Sequence, residues 1–177
     1  AYMLLEECVP PVPDITKDEA LARLARNYFR SHTPATLQDF VWWSGLSVTE
    51  AKQGIYLIGS ELTEEQWKGQ TWYLHESGRT RGSIKGHIRF LPPYDELLLG
   101  YKDRTDVLLS EHCSKAFTGN GLFFPVILYE GQIVGNWDRK AKRNGCDPGY
   151  SLFRQESRID EALLDKAQQQ YMQFLGK

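Results

Sequence analysis

Between Thr36 and Ser60 the chain reads TLQDFVWWSGLSVTEAKQGIYLIGS, two short stretches of helical hydrophobic spacing that meet at Ser44-Gly45-Leu46. Leu37, Phe40 and Val41 recur at helical intervals in the first stretch, and Val48, Ala51, Ile55 and Ile58 in the second. Each predicted helix therefore has one apolar face to bury. Gly45 stands where a helix end needs a left-handed residue, which glycine adopts without a side-chain clash. Thr36 precedes Asp39 by three residues and Ser47 precedes Glu50 by three, the spacing of capping boxes, with Asp replacing the usual Glu or Gln in the first. The pattern predicts a helix-turn-helix.

A third helix is predicted upstream, from the Thr16–Glu19 cap to about Ser31. Ala20, Leu21, Leu24, Ala25, Tyr28 and Phe29 form its apolar stripe, and Arg23, Arg26 and Arg30 lie on the other side. Thr33-Pro34 ends it. Downstream, Leu62 to Gln66 and Gln70 to His75 flank a Lys68-Gly69 turn and carry the aromatic composition of paired strands. Three helices plus a β-hairpin wing make a winged helix, expected over residues 1–85, with Pro10, Pro11 and Pro13 holding an extended N-terminal linker. Trp42 and Trp43, at adjacent helical positions, cannot share a face: one is expected in the core and the other against a neighbouring lobe.

Ser77 to Gly86 is glycine-rich and basic and reads as a flexible loop or domain joint. Residues 86–177 then predict an antiparallel, β-rich lobe with a terminal amphipathic helix, so the fold class is α+β. His87 to Leu91 predicts a strand, and Pro92-Pro93-Tyr94-Asp95 a turn into a short helix at Glu96 to Leu99. Asp106 to Ser114 predicts a helix of weak amphipathicity. Leu122 to Tyr129 and Gln132 to Trp137 predict strands joined at Glu130-Gly131, with Arg139 to Arg143 as a basic extension. Asn144 to Gly149 reads as a loop and Tyr150 to Phe153 as a further strand. In the terminal helix, Ile159 to Leu175, the residues Leu163, Leu164, Ala167, Tyr171, Phe174 and Leu175 are expected inward.

With 177 residues, 41% of them hydrophobic, the chain can bury a sizeable core without metal or disulfide. Cys8, Cys113 and Cys146 are odd in number, widely spaced and without a CxxC pair, which argues against a disulfide framework and suggests a reducing compartment. No apolar run approaches the roughly 20 residues of a membrane helix and no secretory signal is present, so a cytosolic protein is expected. The opening AYMLLEECVPPVP leads from an apolar run straight into prolines, as if an element had been cut through, and suggests a piece of a longer chain.

A formal charge of −2 gives no global attraction to nucleic acid, so such binding has to come from local patches. Two patches stand out. Arg79, Arg81, Lys85 and Arg89, with His87 among them, form the first; Arg139, Lys140, Lys142 and Arg143 form the second. Loops of long cationic side chains beside a winged helix suit phosphate contact, the alternative being ordinary solvated loops. In the presumed recognition helix only Lys52 and Gln53 offer contacts, with Glu50 set against them, which disfavours base-specific readout. His112-Cys113 lacks the partners a metal site needs, and no metal or other cofactor is expected. Asp95 could act as a general base, but its place after Pro-Pro-Tyr is that of a helix cap. No nucleophilic cysteine motif, phosphate-binding glycine loop or Ser-His-Asp spacing appears, and no catalytic residue is assigned.

YFRSHTPATLQDFVWWSGLSVTEAK, FLPPYDELLLGYKDR and LFFPVILYEGQIVGNWDR, followed by an amphipathic terminal helix, together resemble the AlkZ/YcaQ family of winged-helix DNA glycosylases over nearly the whole chain. The resemblance implies tandem winged helices closed by a β-rich C-terminal lobe, excision of alkylated or crosslinked bases, and a C-terminal β-hairpin that helps engage DNA. The family's catalytic Gln-x-Gln or Gln-x-Asp element belongs to its N-terminal part, and the resemblance here begins downstream of it. Gln168-Gln169-Gln170 meets the bare pattern but lies in the terminal helix. The expected partners are therefore duplex DNA, through phosphates, and a missing N-terminal half of the same protein; the rival expectation is a protein-interaction or regulatory module without DNA binding. Whether the complete protein is an enzyme stays open at this point.

Overall fold

The helices begin where hydroxyl and carboxylate caps are available. In the computed structural model, which describes residues 4–8, 14–78, 82–142, 145–154 and 159–174, the chain divides into two units, Ala1–Arg79 and Thr80–Lys177. The first unit opens with a single turn, α1 (Leu5–Cys8), followed by α2 (Lys17–Ser31). Thr16 Oγ1 accepts from the Glu19 amide at 3.2 Å and so satisfies one orphan donor of α2. Helix α3 (Leu37–Ser44) starts at a reciprocal box. Thr36 Oγ1 accepts from the Asp39 amide at 3.2 Å, while the Asp39 carboxylate accepts from the Thr36 amide at 2.9 Å and its hydroxyl at 2.7 Å. It ends at Gly45, whose φ of 70° returns the chain into α4 (Val48–Leu57).

Helices α2 and α4 cross closely because Gly54 faces Leu21 and Ala25 with no side chain of its own. Tyr28, Phe29, Phe40 and Ile58 are fully buried and form the centre of this unit. A three-stranded antiparallel sheet of order β1-β3-β2 closes it, built from β1 (Ala35–Thr36), β2 (Leu62–Trp67) and β3 (Gln70–His75). Strand β1 was not expected: two residues carry no periodicity, and only the pairing of Ala35 with Tyr73 and Thr36 with Trp72 reveals it. The β2–β3 turn has φ of 50° at Lys68 and 72° at Gly69, the doubly left-handed geometry that matches strand twist in two-residue hairpins. Tyr73 meets Phe29 at 5.6 Å, joining sheet to helices. Arg26 of α2 adds a two-nitrogen grip on the Glu61 carboxylate at 2.8–3.0 Å, with His75 Nε2 3.7 Å from the same carboxylate.

The second unit is a four-stranded antiparallel sheet of order β4-β5-β6-β7, comprising β4 (Ile88–Leu91), β5 (Val126–Tyr129), β6 (Gln132–Lys142) and β7 (Gly145–Leu152). Its two faces carry separate cores, so apolar residues alternate from one to the other along the strands. On one face Ile88, Ile127 and Trp137 pack with Ile159, Leu164 and Ala167 around α7 (Glu161–Phe174). On the other, Val126 and Ile133 meet Leu98 of α5 (Glu96–Leu99), Leu108, and Ala116 of α6 (Cys113–Ala116). A register shift at Ile127/Leu128 lets β6 bend between the two cores.

Several local expectations change. Residues 145–149, expected as a loop, belong to β7, and Pro148 is tolerated there because β7 is an edge strand. The helix expected over Asp106 to Ser114 is a run of turns with one 3₁₀ turn, Ser110–His112, leading into α6. Phe174, expected inward, is 84% exposed at the end of α7, and Val48, on the first turn of α4, is 44% exposed. Leu175 lies outside the described residues.

Candidate nucleic-acid interface

The outer face of α4 gathers the groups best suited to a polyanion. Ala51, Gly54 and Ile55 turn inward, so Thr49, Lys52 and Tyr56 are left outward at i, i+3 and i+7, with Gln53 half-buried beside them. Tyr56 is 79% exposed. The acid expected to oppose binding is occupied. Glu50 accepts from the Ser47 hydroxyl at 2.7 Å as part of its capping box and from the Lys17 ammonium at 2.7 Å. That ammonium and the Ser47 donors hold the Glu50 carboxyl down to about 2, while Glu50 raises the affinity of Lys17 for its proton. An ammonium, a phenol, a hydroxyl and a carboxamide are thus presented on one helix face with the nearby carboxylate neutralised. The sequence alone names Lys52 and Gln53 on this helix but not Thr49 and Tyr56, whose outward placement shows only once the buried face of α4 is fixed.

The remaining cationic positions that the structure describes belong to the second unit. Lys85 is exposed on a turn with Gly86 at φ 72°, held to the β5–β6 turn by Glu130, whose carboxylate accepts from the Gly86 amide at 2.6 Å and whose amide donates to the His87 carbonyl at 2.9 Å. Arg89 is exposed on the edge strand β4, and its guanidinium donates to the Ile88 carbonyl at 2.8 Å. Arg139, Lys140 and Lys142 lie in β6, paired in the ladder with Pro148, Asp147 and Gly145 of β7. Arg79, Arg81 and Arg143 fall outside the described residues.

The other polar and aromatic groups resolve into structure. Asp95 caps α5 by accepting from the Leu97 amide at 2.9 Å. Arg104 donates to the Lys102 carbonyl at 3.2 Å and lies over the Phe117 and Phe123 rings, while Asp103 accepts from the Thr105 amide and hydroxyl. Trp43 packs 5.1 Å from Tyr28 and is still 36% exposed; Trp42 is 54% exposed. Gln169 and Gln170 face outward from α7 and Gln168 is half-buried, on an element that closes a core. His112 is buried against the Phe153 ring, and among the described residues no three His, Cys, Asp or Glu side chains converge as a metal site. No described helix is long and apolar enough to cross a membrane.

The family profile described as DNA glycosylase AlkZ-like matches residues 1–174 of the chain. The chain belongs to the AlkZ-like DNA glycosylase family. Over 128 residues, 68% of the chain, it is 29% identical to the interstrand DNA cross-link repair glycosylase of Streptomyces sahachiroi, and the match covers 34% of that protein. The structure of Streptomyces sahachiroi DNA glycosylase AlkZ is similar to it with a TM-score of 0.73 at 24% identity, covering 88% of this chain and 43% of that one. The chain therefore spans less than half the length of the relatives it matches. Its AlkZ-like phrases are largely structural: Asn136 donates its amide to the Pro125 carbonyl at 3.0 Å, and the Trp137 indole N–H donates to the Leu91 carbonyl at 2.7 Å.

Proposed function

We propose that this chain is the DNA-gripping C-terminal portion of an AlkZ-like glycosylase, holding duplex DNA chiefly through its phosphates. Helices α2, α3 and α4 with the β2–β3 hairpin constitute a winged helix, α4 being its recognition helix, and the four-stranded unit is the C-terminal lobe. The joint between them falls in the basic stretch from Arg79 to Gly86. In the complete protein this portion positions an alkylated or crosslinked base for N-glycosidic hydrolysis, with the catalytic groups supplied by residues outside this chain, so the chain alone is inactive. Its free thiols, Cys8 and Cys113, suit a reducing cytosol.

The outer face of α4 carries this reading: Thr49, Lys52 and Tyr56 point outward while Glu50 is neutralised by Lys17. Lys85, Arg89, Arg139, Lys140 and Lys142, together with Arg79, Arg81 and Arg143, add sequence-independent phosphate contacts from the lobe and its joint. A second reading, an interaction module without DNA binding, draws on the exposed apolar groups Trp42, Trp43 and Val48. Fluorescence anisotropy of a labelled undamaged duplex across a salt series separates the two. The DNA reading expects binding at 50 mM salt that falls at least about a hundredfold by 200 mM if four or more cations contact phosphate, and weaker binding by K52A/Y56A. No binding at the lowest salt overturns it in favour of the interaction module.

A further inference from the structure

The tip of the β2–β3 hairpin carries an aromatic pair that the core does not use. Trp67 is 50% exposed, and its ring meets Trp72 edge-on at 5.4 Å. The Trp72 indole N–H donates to the Trp67 carbonyl at 3.2 Å, and the Lys68 ammonium lies 4.3 Å from the centre of the Trp67 ring. Trp67 and Lys68 sit at the two-residue turn in which Lys68 and Gly69 both have positive φ, and Trp72 lies two ladder pairs below it, so the backbone under them is tightly defined. A large ring held in place before binding loses little freedom when it stacks on a ligand.

The surrounding charge selects the ligand. Glu64 and Glu65 are exposed on β2, and Glu65 stands directly opposite Trp72 in the ladder. These carboxylates repel a phosphate backbone running along the strand, leaving Lys68 at the tip as the hairpin's cation. The arrangement favours a flat, neutral π-face touching the tip over a long backbone contact, which is the chemistry of one unstacked nucleobase. We propose that Trp67, supported by Trp72 and flanked by Lys68, is a stacking site for an unpaired nucleobase, with the Lys68 ammonium on the adjoining phosphate. The site rests on the DNA reading above and extends it from the duplex to a base that has left the stack. That base can come from a single strand or from the position opposite a damaged or missing nucleotide.

The test uses the 177-residue chain and DNA containing 2-aminopurine in three settings: a single strand, a duplex with the probe opposite an abasic site, and a matched duplex. Stacking on Trp67 quenches the probe in the first, the second or both, and not in the matched duplex; which of them responds identifies the source of the base. W67A should bind the responding DNA about tenfold more weakly and abolish the quenching. W67F should recover most of both. K68N keeps a residue that favours positive φ, so the turn is retained and thermal unfolding is unchanged while affinity falls. If W67A binds and quenches like the parent chain, the proposal is overturned even when K52A/Y56A weakens duplex binding. Equal loss with W67A on matched duplex and unpaired base also overturns it, because the tip would then be a general contact. Absence of all DNA binding by the parent chain defeats this inference and the DNA reading together. Retention of a protein partner through Trp67, without any response of the probe, overturns it as well.

Discussion

Gly54 of α4 lies against the backbone of Leu21 in α2 so closely that a Cβ at position 54 would come within 3.1 Å of the Leu21 carbonyl oxygen and 3.3 Å of the Ala25 methyl. The first contact is with backbone, which cannot rotate away. The crossing of these two helices fixes which side of α4 is buried and hence that Thr49, Lys52 and Tyr56 face outward. Gly54→Leu is expected to force the helices apart, costing about 1–3 kcal/mol. Thermal unfolding measures the loss, and weaker duplex binding should accompany it, because α4 is displaced. An unchanged melting temperature would contradict the close crossing.

A second close approach lies in the other unit. A Cβ at Gly135 would be 2.5 Å from the Ser151 carbonyl oxygen and 3.1 Å from the Leu152 Cα, both backbone atoms of β7. Gly135 pairs with Leu152 beside the β5–β6 irregularity, and Trp137 follows two residues later in the core. Gly135→Ala must open the β6–β7 ladder to be accommodated and is expected to cost about 1–3 kcal/mol. Loss of near-ultraviolet dichroism, to which buried Trp137 contributes, reads it out.

The Lys17–Glu50 contact gives a pH dependence of known sign. Glu50 is held at about 2, below its ordinary 4.5, first by the hydrogen bond from Lys17 and then by Ser47. A carboxylate depressed on folding binds fewer protons in the folded than in the unfolded chain. Its contribution is therefore fully present above about pH 4.5 and fades as pH falls towards 2. Glu50→Gln should lower the melting temperature at pH 7 and lose that difference progressively between pH 4.5 and 2. A constant difference across that range would remove the ion pair from the account of how α4 begins.

The helical half was the more legible in sequence because its signals are local. The Thr36/Asp39 and Ser47/Glu50 boxes, the Gly45 end and the Lys68-Gly69 turn each specify a few consecutive residues, and the structure places all of them as read. The misreadings in the second half have a common cause. Residues 145–149 of β7 are poor strand formers that extend only because β6 pairs with them, and β1 exists only by pairing with β3. In the candidate interface, composition named the cations but not Thr49 and Tyr56, which the buried face of α4 leaves outward. It also took Glu50 as an opposing charge, since the Lys17 partner lies 33 positions away in sequence and meets it only in the folded unit. The phrases behind the AlkZ resemblance mark caps, turns and core contacts, which is why they identified the family without supplying a catalytic group.

The strongest quantitative prediction concerns the charges of the second unit. Each phosphate contact should contribute about 0.9 to the slope of log affinity against log salt for duplex DNA. Arg139, Lys140 and Lys142 lie together in β6, whereas Lys85 and Arg89 lie on the neighbouring turn and edge strand. If all three β6 residues contact phosphate, R139Q/K140Q/K142Q should flatten the slope by roughly 2.7, and K85Q/R89Q by about 1.8. Both should weaken binding to unrelated duplexes equally, because phosphate contacts carry no base information. Lys52→Ala and Tyr56→Ala differ in kind: the first should flatten the slope by about 0.9, while the second should reduce affinity at constant slope, since a neutral phenol releases no counterion. Anisotropy titrations at four salt concentrations resolve these slopes. Parallel lines for the β6 variant and the parent chain would remove that hairpin from the DNA contact and leave α4 to account for binding.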